Sequence, residues 1–214
     1  MDKVNTFFKK YRESSYKKGV TILNPGDVIT EVFLVQNGVV RLYTISRDGN
    51  ETTFNLLKPG TYFSMLSILT DAPNDYYFEA MTNVVVLRAP KNEFLKFLKS
   101  EPVVLFDLTK RILSGVNGLL LTIENLTSGK AGDRVKTMLK ILAKRFGKAT
   151  DNNTLIDLPL THQQIANLVG LTRETTSLEI EKLISKKIIK YEEHKIIILG
   201  AIPSPAEPLQ NHSF

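Results

Sequence analysis

Residues 159–189 constrain the fold of this chain more than any other stretch, because they carry start and stop signals for two short helices. Thr161 can cap the first helix, and Gln164, three residues later, completes a capping box. Gly170 ends that helix, since a left-handed C-terminal position costs glycine little. Thr172 begins a second helix directly afterwards. The stretch therefore predicts two helices joined by a tight turn.

The second helix of this pair has an apolar inner side and a polar exposed end. The inner side carries, at helical spacing, Thr176, Ile180 and either Leu183 or Ile184. The exposed N-terminal end carries Arg173, Glu174, Thr175, Ser177 and Leu178. A helix-turn-helix presents such positions to the major groove of DNA. A polar turn at residues 192–194 and an apolar strand at residues 195–199 follow, in the order of a winged helix-turn-helix. An ordinary helical hairpin is the alternative, and it leaves this wing unexplained.

Residues 160–175 resemble the DNA-binding signature of the Crp/Fnr family of bacterial transcription regulators, and the resemblance covers about residues 20–200. It implies an α+β chain with an N-terminal antiparallel β-roll sensor of the cyclic-nucleotide-binding, jelly-roll type. A long dimerisation helix and a C-terminal winged helix-turn-helix would follow this sensor. The resemblance also implies a homodimer that binds double-stranded DNA, with RNA polymerase as a further partner.

Composition and charge fit a DNA-binding chain. Residues 130–200 hold 13 Lys and Arg against 8 Asp and Glu, an excess of +5, and the whole chain has a net charge of +6. A polyanion-binding domain needs such an excess. The chain has no cysteine, which excludes disulfides, cysteine-ligated iron–sulfur clusters and thiol redox switches. No apolar run reaches the length of a membrane span, and residues 1–5 lack a signal-peptide core. We therefore expect a cytoplasmic protein with no membrane partner.

The first 100 residues alternate short apolar runs with turn residues, which predicts a β-sandwich or jelly roll. The predicted strands are residues 20–23, 32–35, 39–46, 51–57 and 84–88. We expect an amphipathic helix at residues 91–99. A second one is expected at residues 2–15, with one side made of Val4, Phe7, Phe8 and Tyr11.

The longest helical pattern begins at Pro102, a residue that suits a first helical turn. Apolar residues recur there every seven positions, at Leu105, Ile112, Leu119 and Leu126, with Leu108 at the interleaved position and Ile123 widening the stripe. Such a repeat is typical of a two-stranded coiled coil, so we expect these six residues to hold a homodimer. The alternative is a helix buried against its own domain.

These patterns divide the chain into four parts. They are a sensor domain at residues 1–100, a dimerisation helix and hinge at 101–129, a DNA-binding domain at 130–200 and a Pro-rich flexible tail at 201–214. Gly129 and Gly132 are the expected hinge. Within the DNA-binding domain, residues 133–147 predict an amphipathic helix, and residues 154–158 predict a strand that leads into the helix-turn-helix.

The sensor departs from the cyclic-nucleotide-binding members of the family at the positions that contact the ligand. In those members a Gly-Glu pair and a later Arg-Ser or Arg-Thr pair contact ribose and phosphate. Ser64 and Met65 occupy the first place here, and Asp75 and Tyr76 occupy the second. A phosphate diester pairs best with a guanidinium, whereas this site offers a carboxylate or a phenol. We therefore expect no cyclic AMP binding.

Two short segments, residues 66–70 and 87–90, resemble the corresponding sequences of the cyanobacterial nitrogen-control branch of the family. That branch senses 2-oxoglutarate with a β-roll arginine and an arginine–glutamate set on the long helix. The matching positions in this chain are Tyr76, Gly115 and Leu120. A bound dicarboxylate would lack its counter-charges, although Arg111 lies about one helical turn away. We expect no tight binding of 2-oxoglutarate.

Two interpretations of the sensor remain open. Either the pocket holds an unknown effector that is more apolar or stacks on aromatic rings, or side chains fill the pocket and the abundance of the regulator controls its activity. The tentative effector pocket consists of Tyr62, Phe63, Ser64, Met65, Leu66, Tyr76 and Arg111. We predict no cofactor.

Residue types argue against an enzyme or a metal protein. A β-roll resembles a cupin, and cupins hold a metal ion with two or three histidines inside the roll. The histidines of this chain are His162, His194 and His212, all outside it. Since no nucleophile–base pair, P-loop or dinucleotide-binding glycine motif stands out, we predict neither catalytic residues nor a metal site. A DNA-architectural or signalling adaptor protein with a vestigial sensor remains the alternative function.

The expected DNA contacts follow from the resemblance at the second helix. Arg173 and Glu174 match the family's base-reading positions, where arginine contacts guanine and glutamate accepts a hydrogen bond from cytosine. The family often has arginine at the place of Leu178, which can meet a thymine methyl group instead. The predicted phosphate contacts, which set register and not sequence, are Thr161, His162, Thr172, Thr175, Ser177 and Lys182.

Overall fold

The computed structural model describes residues 2–127 and 129–200, so the predicted tail at residues 201–214 lies outside the described residues. The chain divides into two compact units, Met1–Leu120 and Leu121–Phe214. The division falls inside the predicted dimerisation helix, which is one continuous helix, α4 (Pro102–Thr127). Pro102 is its first residue, as expected.

The first unit is a roll of two four-stranded antiparallel sheets, with strand orders β1-β8-β3-β6 and β2-β7-β4-β5. Its elements before α4 are α1 (Asp2–Phe8), β1 (Arg12–Tyr16), β2 (Thr21–Leu23), β3 (Glu31–Asn37), β4 (Val40–Ile45), β5 (Glu51–Leu57), β6 (Tyr62–Phe63), α2 (Met65–Thr70), β7 (Tyr77–Ala80), β8 (Val84–Pro90) and α3 (Lys91–Ser100). This arrangement confirms the predicted antiparallel β-roll, and each of the five predicted strands is present.

Strand β3 is buried on both faces, because each face packs into a separate core. Phe33 and Val35 lie between the two sheets, whereas Val32 and Leu34 lie in a second core with residues of α1, α3 and α4. This alternation is the period of two that a strand imposes on its side chains. Its central position explains why β3 is a nearly continuous apolar run.

Three stacked phenylalanine rings occupy the space between the sheets. The Phe63 ring lies 4.9 Å from that of Phe33 and 5.0 Å from that of Phe78, measured between centroids. All three side chains are buried. Because each ring comes from a different strand, the column joins β3, β6 and β7 across the two sheets.

The predicted helix at residues 2–15 is wrong in its second half. Helix α1 ends at Phe8, and β1 pairs antiparallel with β8 from Arg12 opposite Arg88 to Tyr16 opposite Val84. Pairing with β8 satisfies the backbone groups of this segment and outweighs its helical pattern. The four residues expected on one side do share a core, which contains Val4, Phe7, Phe8 and Tyr11.

Residues 62–80 contain three elements that the sequence did not predict. They are β6, α2 and β7, of two, six and four residues. Elements this short carry too few residues for a periodic pattern. Pairing sets the positions of the two strands: β6 pairs with β3, and β7 pairs with β2 and β4, which are distant in the sequence.

The second unit confirms the predicted winged helix-turn-helix. After the end of α4 it contains α5 (Ala131–Phe146), β9 (Gly147–Thr150), β10 (Asn153–Ile156), α6 (His162–Val169), α7 (Arg173–Ser185), β11 (Ile189–Glu192) and β12 (Lys195–Leu199). The four strands form one antiparallel sheet in the order β11-β12-β10-β9. Strand β9 was not predicted; it returns to β10 through a turn in which Asp151 is left-handed.

Gly132, one of the two glycines expected as the hinge, lies inside the first turn of α5. A β-carbon at this position would lie 2.6 Å from Oε2 of Glu179 on α7. This carboxylate is the far end of a flexible side chain, so a larger residue at position 132 would displace Glu179 and not the helix backbone. Gly129, the other glycine of the expected hinge, precedes α5 and lies outside any helix.

Replacement of Phe63 by alanine tests the aromatic column. Phe63→Ala removes the middle ring of three and leaves a cavity between the sheets, so the free energy of unfolding should fall by about 3–5 kcal/mol. Urea unfolding followed by circular dichroism measures this loss. Phe54→Ala is the matched control, because Phe54 is 41% exposed, and it should lower stability by about 1 kcal/mol or less. Equal losses for the two variants would contradict this description of the core.

Candidate nucleic-acid interface and sensor site

The turn between α6 and α7 has the chemistry that the sequence predicts. The backbone N–H of Thr161 donates to Gln164 Oε1 at 2.9 Å, and the Gln164 N–H donates to Thr161 Oγ1 at 3.2 Å, which completes the capping box. Gly170 ends α6 in the left-handed conformation, with φ of 62°. Thr172 caps α7 by accepting the N–H of Thr175 at 3.2 Å. These local bonds fix the start of α7 relative to α6.

One side of α7 is anchored in the core of the second unit. Thr176, Ile180 and Leu183 are buried, whereas Ile184, offered as an alternative to Leu183, is 40% exposed. The predicted base-reading residues Arg173, Glu174 and Leu178 are all exposed on this helix. Leu178 is 58% exposed. The recognition end of α7 therefore faces outward.

The predicted phosphate-contacting residues differ in how far other parts of the protein already engage their side chains. Thr172 and Thr175 lie at the N-terminal end of α7, where the helix dipole favours an anion. The ammonium group of Lys182 lies 2.7 Å from the carboxylate of Glu179, and its side chain is 62% exposed. His162 and Ser177 instead hydrogen-bond to each other, with 2.8 Å between Nδ1 and Oγ. Thr161 is engaged in the capping box.

Tyr191 on the wing strand β11 is a residue that sequence reasoning missed. Its hydroxyl group donates to the carbonyl oxygen of Leu160 at 2.8 Å, just before α6. Its ring lies 4.7 Å from the imidazole of His162, measured between centroids. The signal for it was present, because Tyr191 alternates with the exposed Lys190 and Glu192 and so lies on the inner face of the strand.

The end of α4 lies against the helix-turn-helix in the second unit. A β-carbon at Gly170 would lie 3.2 Å from a methyl group of Leu126. Leu126, predicted to contact a partner, thus also packs on the turn between α6 and α7. The glycine serves both the left-handed turn and this contact.

The other predicted dimer residues lie on a helix with an exposed apolar face. Exposed large apolar residues of α4 are Val103, Leu105, Phe106, Ile112, Leu113, Val116, Leu119, Leu120, Leu121 and Ile123. The predicted heptad positions Leu105, Ile112 and Leu119 are 43%, 45% and 47% exposed. Leu108 differs, because it is buried together with Val104 in the core of the first unit. The start of α4 therefore follows the alternative interpretation, a helix packed against its own domain.

The tentative effector residues do not line one pocket. Phe63 and Tyr76 lie in the core between the sheets, and Met65 packs on the opposite face of the first sheet. Leu66 is 59% exposed. Tyr62 and Arg111 alone come together beside a cavity of about 290 Å³, which is lined by Lys3, Val4, Asn5, Leu34, Gly60, Tyr62, Val103, Val104, Asp107 and Arg111. Burial raises the pKa of the Tyr62 hydroxyl; the charge of Arg111 lowers it and that of Asp107 raises it.

Ser64 occupies a backbone position that favours glycine. Its φ of 69° is left-handed, and it directly precedes α2. Its hydroxyl group donates to the carbonyl oxygen of Glu31 at 2.9 Å. Ser64 thus adopts the left-handed conformation before α2, and its hydroxyl group is hydrogen-bonded within the protein.

The roll contains one buried arginine that the sequence analysis did not single out. Arg41 on β4 is 6% exposed, and its guanidinium group pairs with Glu51 at 2.6 Å and Glu79 at 3.1 Å. Its neighbours Val40 and Leu42 lie in the core between the sheets, so the alternation of the strand places Arg41 on the outer face. Two carboxylates already balance its charge.

Other classes of site find little support in the described part of the chain. Across residues 2–127 and 129–200, no three His, Asp or Glu side chains are placed to hold a metal ion. In the same residues, no helix is both long enough and apolar enough to cross a membrane. What remains is a capped, outward-facing helix beside a wing, in a chain that also carries a β-roll. These features define the class of β-roll, winged-helix regulators.

Two family descriptions match the two units. "Cyclic nucleotide-binding domain" matches residues 13–101, and "Crp-like helix-turn-helix domain" matches residues 133–201. The chain is 31% identical over 186 residues to a global nitrogen regulator of Nostoc, covering 86% of this chain and 83% of that protein. It is 32% identical over 193 residues to the global nitrogen regulator of Synechococcus elongatus, covering 87% and 85%. The chain belongs to the Crp/Fnr family of bacterial transcription regulators.

Solved structures agree with this assignment. A CRP/FNR-family transcriptional regulator of Thermus thermophilus is 27% identical, with a TM-score of 0.70 and coverage of 88% of this chain and 93% of that one. A c-di-GMP-responsive global regulator of Xanthomonas campestris has a TM-score of 0.80, covers 94% and 99%, and at 16% identity supports the fold alone. Family membership confirms that the chain is a transcription regulator and not an enzyme.

Proposed function

We propose that this chain is a cytoplasmic, sequence-specific regulator that acts as a homodimer on palindromic DNA. Its sensor has lost the residues that bind a cyclic nucleotide, and RNA polymerase is a further partner of the bound dimer. The observation that carries the proposal is the exposed Arg173–Glu174 pair at the capped N-terminal end of α7. A signalling adaptor would not require a base-reading pair at this position.

The homodimer is supported by the apolar face of α4. Leaving the heptad positions Leu105, Ile112 and Leu119 about half exposed is unfavourable, since each buried apolar Å² contributes roughly 25 cal/mol. Gly115 and Gly118 support the same conclusion, because a β-carbon at either position meets nothing within 4 Å. The protomer therefore does not require these glycines, whereas the close approach of a second helix would. Burial of this face against the same face of another copy gives a two-fold dimer.

Charge on the heptad positions tests the dimer. Ile112→Asp combined with Leu119→Asp places two carboxylates in the centre of the contact and should give monomers, because an unpaired buried charge costs several kcal/mol, on the order of the whole contact. Light scattering at micromolar concentration measures the mass. Lys110→Asp with Asn117→Asp is the control, since both positions lie on the outer side of the same heptads. A monomeric wild type, or a dimeric Ile112/Leu119 variant, would refute the dimer.

The sensor proposal rests on missing positive charge. Neither Ser64–Met65 nor Asp75–Tyr76 offers a guanidinium to a phosphate diester, and the aromatic column between the sheets favours a sensor filled by its own side chains. The cavity beside Tyr62 and Arg111 supports the other interpretation, an unknown effector that is more apolar or stacks on aromatic rings. Either way the sensor requires no cofactor.

Titration calorimetry tests the loss of the family's ligands. Cyclic AMP should give no measurable heat of binding, because Asp75 and Tyr76 stand where its phosphate-pairing arginine is expected. 2-Oxoglutarate should not bind tightly, because Tyr76 stands at the place of its β-roll arginine, and Gly115 and Leu120 at the places of the arginine–glutamate set. Tyr76→Arg is a useful companion variant, since it restores one guanidinium and nothing else. Micromolar affinity of the wild type for either ligand would overturn the proposal for the sensor.

The proposed DNA contacts predict the form of the binding site. Two symmetric recognition helices enter successive major grooves, so half-sites should lie about 34–36 Å apart, one helical turn. Arg173 contacts a guanine with two hydrogen bonds, and Glu174 accepts one from a cytosine amine. Leu178 meets a thymine methyl group but cannot hydrogen-bond a guanine. The half-site should therefore differ from the usual site of the family at that base.

Selection of sites from random duplexes tests this reading. Arg173→Ala should weaken binding by roughly 1–3 kcal/mol and blur one base position, because a bidentate base contact is lost. Lys182→Ala should weaken binding to all sequences alike and reduce the salt slope by about one, as expected for a phosphate contact. If Arg173→Ala selects the same motif as the wild type, Arg173 does not read a base.

A further inference from the structure

We propose that His162 and Tyr191 are positioning residues for DNA recognition, which tie the wing and the start of α6 to the first turn of the recognition helix. This inference rests on the DNA-binding function proposed above and assigns His162 a role other than phosphate contact. The connected groups run from the Tyr191 ring through His162 and Ser177 to the backbone of Arg173. We refer to His162, Ser177 and Tyr191 together as the wing latch.

The hydrogen bonds of Ser177 fix the proton on His162. The Ser177 hydroxyl group donates to the carbonyl oxygen of Arg173 at 2.9 Å, and its oxygen lies 2.8 Å from His162 Nδ1. A hydroxyl group has a single proton to donate; with that proton on the bond to Arg173, we assign the proton of neutral His162 to Nδ1, as the donor to Ser177. His162 Nε2 then carries a lone pair; it is buried, and no described residue hydrogen-bonds to it. In this state neither ring nitrogen is free to donate to a DNA phosphate.

The wing end of the latch is held by a residue far away in the chain. The Tyr191 hydroxyl donates to the Leu160 carbonyl at 2.8 Å and lies 3.2 Å from Nδ1 of His194. The Leu160 N–H returns a bond to the His194 carbonyl at 2.7 Å. The wing turn and the chain before α6 are therefore bonded in both directions. With its ring 4.7 Å from that of His162, Tyr191 transmits the position of the wing to α6 and α7.

The charges around His162 favour its neutral form. Burial lowers the pKa of His162 below its ordinary value of 6.5, and the charges of Arg173 and His194 lower it further, while Glu181 opposes them. The Tyr191 ring packs against it from the wing. Protonation would place a proton on a buried nitrogen beside the Arg173 guanidinium. Because folding lowers the pKa of His162, the neutral histidine contributes its full stabilisation to the folded second unit above about pH 6.5. This stabilisation is lost as the pH falls below that value.

The pH dependence of DNA affinity separates the latch from a phosphate contact. We compare the wild type with His162→Gln on the selected site between about pH 7.5 and pH 5, where histidine titrates. The latch predicts that the wild type loses affinity relative to the variant as the pH falls, by at most about tenfold per pH unit for one proton. A phosphate contact predicts the opposite sign, since DNA would favour protonated His162. A relative gain, or no difference between the two profiles, overturns the proposal.

Tyr191→Phe provides a second, independent variant that keeps the ring and removes only the hydroxyl group. Affinity for the selected site should fall about three- to tenfold, the effect of one hydrogen bond, with an unchanged salt slope, because no phosphate contact is lost. An unchanged affinity, or a salt slope reduced by about one, overturns the latch. Wild-type binding without sequence preference would refute the proposed function and the latch together, whereas specific binding that neither variant alters refutes the latch alone.

Discussion

The burial of one side of α7 is the constraint on which the second unit depends. Thr176, Ile180 and Leu183 lie in its core, and the caps at Thr172 and Gly170 set where the helix begins. A helix held on one side must present the other side to solvent, so Arg173, Glu174 and Leu178 face outward as a consequence of packing. The outward orientation of these three side chains thus follows from the packing of the core behind them.

The sensor depends on a different balance, between filling the roll and leaving room for a ligand. Phe33, Phe63 and Phe78 stack where the two sheets face each other, which stabilises the roll through apolar burial. These rings fill the interior between the two sheets. The positive charge of the buried Arg41 is likewise balanced within the protein, because its guanidinium group pairs with Glu51 and Glu79.

Local sequence signals predicted the second unit well. The capping box, the glycine at position 170 and the inner side of α7 each depend on residues within a few positions of one another. A short stretch of sequence is therefore enough to predict each of them. The β-roll was predictable as a class for a similar reason, since its longer strands are apolar runs between turns. The exposed base-reading end of α7 followed directly from the same helical spacing.

What the sequence did not predict is set by contacts between distant residues. Strand β1 exists because β8 offers an edge, although residues 2–15 carry a helical pattern. Strands β6 and β9 are too short for a period to show. Leu108 fits the heptad as well as Leu105 does, and only the folded first unit shows that it is buried within the protomer. The latch at Tyr191 joins positions 160 and 191, a pairing that no local pattern contains.

A spacing series on the selected duplex tests the central claim most directly, that two symmetric copies of α7 read successive major grooves. Insertion of about five base pairs between the half-sites rotates one of them by half a helical turn, to the opposite face of the DNA. Affinity measured by fluorescence anisotropy should then fall toward that for random duplex, and the number of protomers per duplex should remain two on the unaltered site. Affinity that does not depend on the spacing would contradict the account.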